Sequence, residues 1–221
     1  MARNRFEKLA SSIHITNNLA ATDKEKEDKL WKIRPWLSAL RSQFLNIPAE
    51  EFNSVDEIMV PFKGKSSIKQ YIRGKPNPWG FKLWGRAGAS GVLYDFDVYQ
   101  GRAGRQAENS IGVGGDVVLQ MCGSLPEGKN YKIFADNFFT SMPLLSKLRE
   151  KSFHFIGTVR SNRLKGCSFK TENVFKMEGR GSYDMKVHSS SDFVAEMYKK
   201  SCKSSQLGSQ CIHFLIKFKI R

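Results

Sequence analysis

The sequence contains no hydrophobic run long enough to cross a bilayer, and its N-terminus lacks the continuous apolar core of a signal peptide. We therefore expect a soluble, intracellular protein with no membrane partner. Cysteine is also scarce, and none of the four residues forms a CxxC pair. In an intracellular compartment we expect reduced thiols rather than disulfides at these positions, which are Cys122, Cys167, Cys202 and Cys211.

Two other motifs are missing. The glycine-rich stretch GRAGRQAENSIGVGG, residues 101–115, lacks the GxxxxGKS/T pattern of a phosphate-binding loop, which argues against an ATPase. We expect it to be a connection that leads into a helix. Cys202, Cys211 and His213 offer only three zinc ligands at irregular spacing, so a zinc site is an alternative with an incomplete ligand set.

Positive charge is what the sequence has in excess. The formal net charge is +15, and the 36 Lys and Arg residues are spread along all 221 positions rather than gathered in a tail. A distributed positive field favours polyanions, and nucleic acid is the first candidate. The alternative is a solvated basic surface. The 40% hydrophobic content and 16 Phe residues indicate a folded core rather than a disordered chain.

The hydrophobic pattern changes from helical to strand-like along the chain. Apolar residues recur at helical spacing over residues 3–13 and 29–45, and Pro35 is expected to begin or kink the second helix. Three strands then follow, NSVDEIMVPF, GFKLWGRA and VLYDFDVYQG, with GASG as a hairpin turn between the last two. Next come a helix (DVVLQMCGSL), a strand (YKIFADNFFTS), a helix that Ser141 caps (SMPLLSKLREK) and a strand (HFIGTVRSN).

The resulting order, β-β-β-α-β-α-β after N-terminal helices, predicts the α/β class with a mixed α+β sheet and a ribonuclease-H-like core. In that fold the first and fourth strands are neighbours. Asp56 lies in the middle of the first strand and Asp136 ends the fourth, so we expect the two carboxylates to meet. Converging carboxylates need a cation between them, and their oxygens suit Mg²⁺ or Mn²⁺ in phosphoryl transfer.

Each aspartate also has a simpler interpretation. Asp56 could face solvent from an edge strand, and Asp136 could form an Asx turn with Phe138. A cluster of basic residues between the first two strands favours phosphate binding beside the acids, although a solvated loop of charges is equally compatible. The members of this cluster are Lys63, Lys65, Lys69, Arg73, Lys75 and Lys82. Three basic residues after the last strand could line the same phosphate-binding groove, and these are Arg160, Arg163 and Lys165.

The aromatic residues near these acids are expected to be structural. Trp79 and Trp84 could stack on bases, but a Trp beside a strand is more often part of the core. Phe138 and Phe139 are expected to pack beneath the site and to fix the turn that carries Asp136.

Several of these stretches resemble one known family. NSVDEIMVPFKGKSSIKQYIRGKPNPWGFKLWGRAGASGVLYDFDVYQG, YKIFADNFFTSMPLLSKLREK and GTVRSNR are similar to motifs of the piggyBac transposases and their domesticated derivatives, in the same order. RNRFEKL and DKLWKIRPWL resemble the family's region before the core. The resemblance covers about Arg3 to Phe193, after which we expect an unrelated or frame-altered ending.

The resemblance implies metal-dependent cleavage and strand transfer of DNA at TTAA targets, through three aspartates in a ribonuclease-H-like core. The first two correspond to Asp56 and Asp136. The third belongs to a G-x-D-x-x-D pattern that this sequence does not contain. Asp184 and Asp192 remain as substitutes, but Asp184 resembles a residue of the family's insertion and is not assigned to the site. We therefore expect a catalytically incomplete protein that binds Mg²⁺ or Mn²⁺ weakly, and whether it is an enzyme is left open.

We divide the chain into a helical region over residues 1–50, a partial catalytic core over 51–165, and the start of an insertion with a divergent tail over 166–221. The predicted location is the nucleus, the predicted partner is DNA, and a homodimer is compatible with the resemblance. Two alternatives stay open. The chain could be a non-catalytic derivative that binds DNA or protein, or a fragment without function that exposes apolar surface.

Overall fold

The chain folds around one mixed β-sheet with helices on both faces. A computed structural model describes residues 2–101, 110–164, 166–178, 181–188, 193–199 and 212–218. The helices are α1 (Arg3–Ser11), α2 (Asp23–Lys26), α3 (Arg34–Leu45), α4 (Val113–Cys122), α5 (Met142–Glu150) and α6 (Glu172–Met177), with a 3-10 turn at Ser161–Arg163. The strands are β1 (Phe52–Pro61), β2 (Gln70–Tyr71), β3 (Trp79–Gly88), β4 (Leu93–Val98), β5 (Lys132–Ala135), β6 (His154–Thr158), β7 (Tyr183–Val187), β8 (Phe193–Lys199) and β9 (Ile212–Phe218).

Strand order confirms the predicted topology. Across the described residues the order is β2-β3-β1-β5-β6-β9-β8-β7, and β4 also pairs with β3. β1, β3 and β4 form the expected antiparallel meander, whereas β5 runs parallel to both β1 and β6. The two parallel pairings require crossovers, and α4 and α5 supply them. The five predicted strands correspond to β1, β3, β4, β5 and β6, while β2, β7, β8 and β9 are additions that the sequence did not predict.

Two helices cover one face of the central strands because their apolar stripes match the inward side chains of the sheet. Val55 of β1 and Ile133 of β5 are fully buried there. Apolar residues of α4 and α5 pack over them, and these are Val117, Val118, Met121, Leu144, Leu145 and Leu148. Burying one such side chain contributes about 2 kcal/mol, so this layer fixes β1 and β5 side by side.

The helix boundaries follow the expected capping signals. α5 begins after Ser141, whose hydroxyl accepts a hydrogen bond from the Leu144 N–H, and Pro143 occupies the first turn. α3 also has a proline, Pro35, in its first turn. The helix predicted over residues 29–45 is therefore shorter, from Arg34 to Leu45, and it packs on the face of the sheet near β4.

The C-terminal part of the chain joins the sheet. β9 pairs antiparallel with β6 on one side and with β8 on the other. Ile216 of β9 is buried in the same core as α4 and α5. The segment expected to be an unrelated tail therefore contributes a strand next to the core.

Candidate active site

Asp56 and Asp136 lie next to each other at the same level of the sheet. The parallel register pairs Val55 of β1 with Ala135 of β5, and each aspartate is the residue that follows its paired neighbour. Neighbouring strands are about 4.8 Å apart. Both aspartates are exposed, and both line an open groove of about 310 Å³ together with Ser54, Phe134, Thr158 and other residues.

Asp56 faces solvent, as its simpler interpretation expected, but it does not do so from an edge strand. β1 lies between β3 and β5. The simpler interpretation of Asp136 is confirmed, since its Oδ1 accepts a hydrogen bond of 2.8 Å from the Phe138 N–H. An Asx turn uses only one carboxylate oxygen, so this hydrogen bond orients the Asp136 side chain and leaves its second oxygen available as a ligand.

The turn after β5 is held by hydrogen bonds from two sides. Thr140, which is fully buried, donates from Oγ1 to the Asp136 carbonyl oxygen at 2.8 Å. Arg163 donates from Nη1 to the carbonyl oxygens of Asn137 and Thr140, at 2.8 and 2.6 Å. The backbone that carries Asp136 is therefore fixed from inside by Thr140 and from the surface by Arg163.

The glycine-rich connection brings α4 close to this turn. A side chain at Gly114 would place its Cβ 2.6 Å from the Phe138 carbonyl oxygen and 2.8 Å from the Phe139 Cα. Only glycine fits such an approach. The GVGG sequence therefore has a packing role at the site, which agrees with the absence of a phosphate-binding loop pattern.

Glu57, the residue after Asp56, carries a carboxylate that is paired with a cation. Lys75, in the segment between β2 and β3, forms an ion pair of 3.3 Å with the half-buried Glu57. Burial raises the pKa of the Glu57 carboxyl, the adjacent Asp56 raises it further, and Lys75 opposes both effects. One residue of the basic segment between β1 and β3, Lys75, therefore contacts the residue that follows Asp56.

The other basic candidates differ in what they contact. Lys63, Lys65, Arg73 and Arg160 are exposed. Lys69 is half-buried, and its ammonium donates to the carbonyl oxygens of Lys63 and Gly64. Lys165 lies outside the described residues.

Sequence analysis counted Lys82 among the basic residues near the acids but did not predict its aromatic contacts. Its ammonium lies 3.9 Å from the centre of the Trp84 ring and 4.9 Å from that of Phe138, the second residue after Asp136. The signal was available, because Lys82 alternates with Trp84 on β3 and Trp84 pairs directly with Glu57. Cross-strand partners share a face of the sheet.

The aromatic predictions have different outcomes. Trp84 is buried, as expected, and it packs against Phe138 and Phe139. Trp79 is not part of the core. It is 53% exposed and packs on Tyr71, because it begins β3 at the edge of the sheet, where only the short strand β2 covers it.

A third carboxylate for a metal site is not found in the described part of the chain, where no group of three or more His, Cys, Asp or Glu residues could hold an ion. Asp184 is far from the pair. It belongs to β7, and β6, β9 and β8 separate that strand from β5. Asp192 lies outside the described residues, and so do Cys202 and Cys211 of the alternative zinc site.

Comparison with known proteins identifies the family. The family model described as Transposase IS4 matches residues 1–216. The human PiggyBac transposable element-derived protein 3 is 32% identical over 96% of this chain. The chain belongs to the piggyBac transposase family. The human PiggyBac transposable element-derived protein 2 is 34% identical over 87% of the chain. The match covers 36% of the first relative and 32% of the second, so the chain spans about a third of their length.

A solved structure shows that the fold is that of a piggyBac transposase. The cryo-EM structure of a piggyBac transposase synaptic complex with hairpin DNA matches with a TM-score of 0.80 at 21% identity. The match covers 98% of this chain and 43% of that one. The ribonuclease-H-like prediction is thereby confirmed.

The family match also corrects one expectation. The resemblance was expected to end near Phe193, but the family model extends to residue 216, and β9 over Ile212–Phe218 is part of the sheet. The low similarity of the tail to recognised motifs was therefore not a sign of an unrelated ending. In the portion of the chain that the structure describes, no helix is both long and apolar enough to span a membrane.

Proposed function

We propose that this chain supplies the first two metal-binding aspartates, Asp56 and Asp136, of a site for metal-dependent DNA cleavage and strand transfer. The observation that supports this role is the parallel register of β1 and β5, which sets the two carboxylates side by side in one groove. The similarity to piggyBac transposases supports the same chemistry.

The two carboxylates fit a hard divalent cation. Each one is exposed, and each accepts one backbone hydrogen bond at Oδ1, from Glu57 N–H to Asp56 and from Phe138 N–H to Asp136. Protein sites for Mg²⁺ often use only one or two carboxylates, together with water and substrate phosphates. When bound, Mg²⁺ or Mn²⁺ would activate a water or 3′-hydroxyl nucleophile and stabilise the departing oxygen.

The chain's own residues orient the two ligands and attract the substrate. β1 holds Asp56 rigidly, because β1 is paired with β3 on one side and with β5 on the other. The turn after β5, which is held by hydrogen bonds from Thr140 and Arg163, positions Asp136. Cations around the groove would bind phosphates without reading sequence. The proposed DNA-binding residues are Lys63, Lys65, Lys69, Arg73, Lys75, Arg160 and Arg163.

Two ligands alone predict weak metal binding, so we expect little transposition from this chain by itself. A third carboxylate would have to come from outside the described residues. The similar solved structure is a synaptic complex with hairpin DNA, which supports DNA as the partner. A homodimer and a nuclear location are further parts of the proposal.

A second candidate function is DNA binding without cleavage. The observation that favours it is that the described residues contain no group of three metal ligands. The two functions differ in their dependence on the aspartates, because binding by basic residues depends on salt and not on Asp56 or Asp136.

The test is nicking of supercoiled DNA by the purified chain in Mn²⁺. We expect Asp56→Asn and Asp136→Asn each to reduce nicking more than about tenfold, whereas the matched control Asp184→Asn, on β7, retains it. Equal nicking by wild type and both site variants would overturn the catalytic function. DNA binding with no nicking in any variant would establish the binding-only alternative.

A further inference from the structure

Lys82 is held against the acidic site by aromatic rings. Besides the contacts with Trp84 and Phe138, its ammonium lies 5.7 Å from the centre of the Tyr99 ring. The Trp84 ring is buried, and Phe138 belongs to the turn that carries Asp136. An ammonium over an indole face is attracted by the negative face of the ring. The flexible lysine side chain is therefore fixed in one place beside the turn.

The charge of Lys82 is not neutralised by a direct contact. No carboxylate oxygen of the described residues lies within 4.0 Å of its ammonium. Burial lowers the pKa of the ammonium, and the attraction of Glu57, Asp136 and Asp56 offsets part of that decrease, while Lys75 lowers it further. A half-buried cation without an ion pair is costly unless another anion occupies its surroundings.

Neighbouring cations contrast with Lys82 because they have polar partners in the protein. Lys75 is paired with Glu57. Lys69 donates to two backbone carbonyl oxygens, and Arg163 donates to the carbonyl oxygens of the Asp136 turn. Lys82 has aromatic faces instead, which position the charge and leave its hydrogen-bond donors available.

We propose that the Lys82 ammonium contacts a phosphate of the DNA strand held at Asp56 and Asp136, which makes it a substrate-binding residue of this site. This role rests on the proposed function and adds to it, since Lys82 is not among the residues proposed above for DNA binding. Lysine binds phosphate as a compact point charge. Its contact with Phe138, which shares a turn with Asp136, would place it near the phosphate that a divalent ion at Asp56 and Asp136 also binds.

The test compares Lys82→Met with Lys82→Arg and with Lys129→Met. Methionine keeps the aliphatic cover over Trp84 and removes the charge. Lys129 is an exposed lysine in the loop before β5, at the opposite end of that strand from Asp136. Binding to a fluorescent duplex is measured by anisotropy over a range of salt, with and without Mg²⁺.

We expect Lys82→Met to weaken binding in Mg²⁺ by about tenfold and to reduce the slope of log K against log salt by about 0.9, the value for one phosphate contact. Lys82→Arg should retain most of the affinity, and Lys129→Met should retain affinity and slope together. The melting temperature of Lys82→Met should equal or exceed that of wild type, because a desolvated charge is removed.

Two results would overturn the role of Lys82. One is wild-type affinity and slope in Lys82→Met. The other is weakened DNA binding and a lower melting temperature in Lys82→Met, with no recovery of binding in Lys82→Arg. These results together would show that Lys82 contributes to packing rather than to phosphate binding. If wild type itself fails to bind DNA, the proposed function fails first. If Asp56→Asn and Asp136→Asn abolish nicking while Lys82→Met nicks and binds like wild type, only the role of Lys82 fails.

Discussion

Arg163 donates a hydrogen bond of 2.6 Å from Nη1 to the carbonyl oxygen of Thr140, which lies 23 residues earlier in the chain. The bond ties the 3-10 turn after β6 to the turn after β5. Because Thr140 in turn donates to the Asp136 carbonyl oxygen, the position of Asp136 depends on an arginine that touches no carboxylate in the described contacts.

We expect Arg163→Met to destabilise the chain by about 1–2 kcal/mol, because the carbonyl oxygens of the turn lose their donor. Urea unfolding measures this change. The matched control is Arg160→Met, an exposed arginine three residues away, which should leave the free energy of unfolding unchanged. Equal stability of the two variants would contradict a positioning role and leave Arg163 as a DNA contact.

Gly157 should be equally sensitive, because a Cβ at this position would lie 2.5 Å from Thr140 Oγ1 and 2.8 Å from the Phe155 ring. Gly157→Ala would displace Thr140 and cost about 1–3 kcal/mol through overpacking. Thermal unfolding and Mn²⁺-dependent nicking should both decline. Gly123→Ala is the control, since its Cβ would approach nothing closer than 3.2 Å; a wild-type melting temperature for Gly157→Ala would refute the expected clash.

The strand order and the pairing of Asp56 with Asp136 could be predicted from sequence because they depend on short-range signals. Alternating strands, a Gly-rich hairpin and the Ser141 cap fix the element order, and the crossover rule then brings β1 and β5 together. The features that could not be predicted from sequence depend on contacts between distant segments. The edge position of Trp79 and the pairing of β9 with β6 are set by which strands happen to be neighbours, and no local pattern encodes that.

The aromatic surroundings of Lys82 could not be predicted for a related reason. The sequence places Lys82 in a strand and groups it with the basic residues before it. In the fold it lies inside β3 as predicted, and the packing of Phe138 from the turn after β5 gives it its aromatic surroundings. Only the combination of strand register and a turn 56 positions away in the chain separates Lys82 from its basic neighbours.

The exposed basic residues between β1 and β3 should bind DNA through their charge alone. We expect Lys65→Gln and Arg73→Gln each to lower DNA affinity and to reduce the salt slope by about 0.9, uniformly across DNA sequences. Anisotropy titrations against two unrelated duplexes measure this, with Lys129→Gln as the control. An unchanged slope in both variants would show that the segment between β1 and β3 does not contact phosphate.

An ion pair links α3 to the sheet, in addition to apolar packing such as that of Phe44 on Phe96. Arg41 of α3 forms two hydrogen bonds with Asp95 of β4, at 2.5 and 3.0 Å, and Asp95 is completely buried. Arg41→Met would leave a buried carboxylate without its partner, and we expect a loss of about 2 kcal/mol, reduced from the fully buried case because Arg41 is partly exposed. The double variant Arg41→Met with Asp95→Leu should recover stability in urea unfolding; no recovery would mean that the pair contributes specific geometry.

Acid should weaken the segment before α3 through Asp28. The Arg34 guanidinium donates to both oxygens of Asp28, at 2.5 and 2.9 Å, and this hydrogen bonding lowers the pKa of the carboxyl. A carboxyl with a lowered pKa in the folded state stabilises the fold above its unfolded pKa of about 3.9, and that stabilisation is lost as the pH falls through the folded value. Asp28→Asn should therefore be less stable than wild type at pH 7, and the difference should shrink progressively below pH ~4. Urea unfolding at several pH values measures the difference, with the exposed Asp23→Asn as control; a difference that stays constant down to pH ~3 would contradict the assignment.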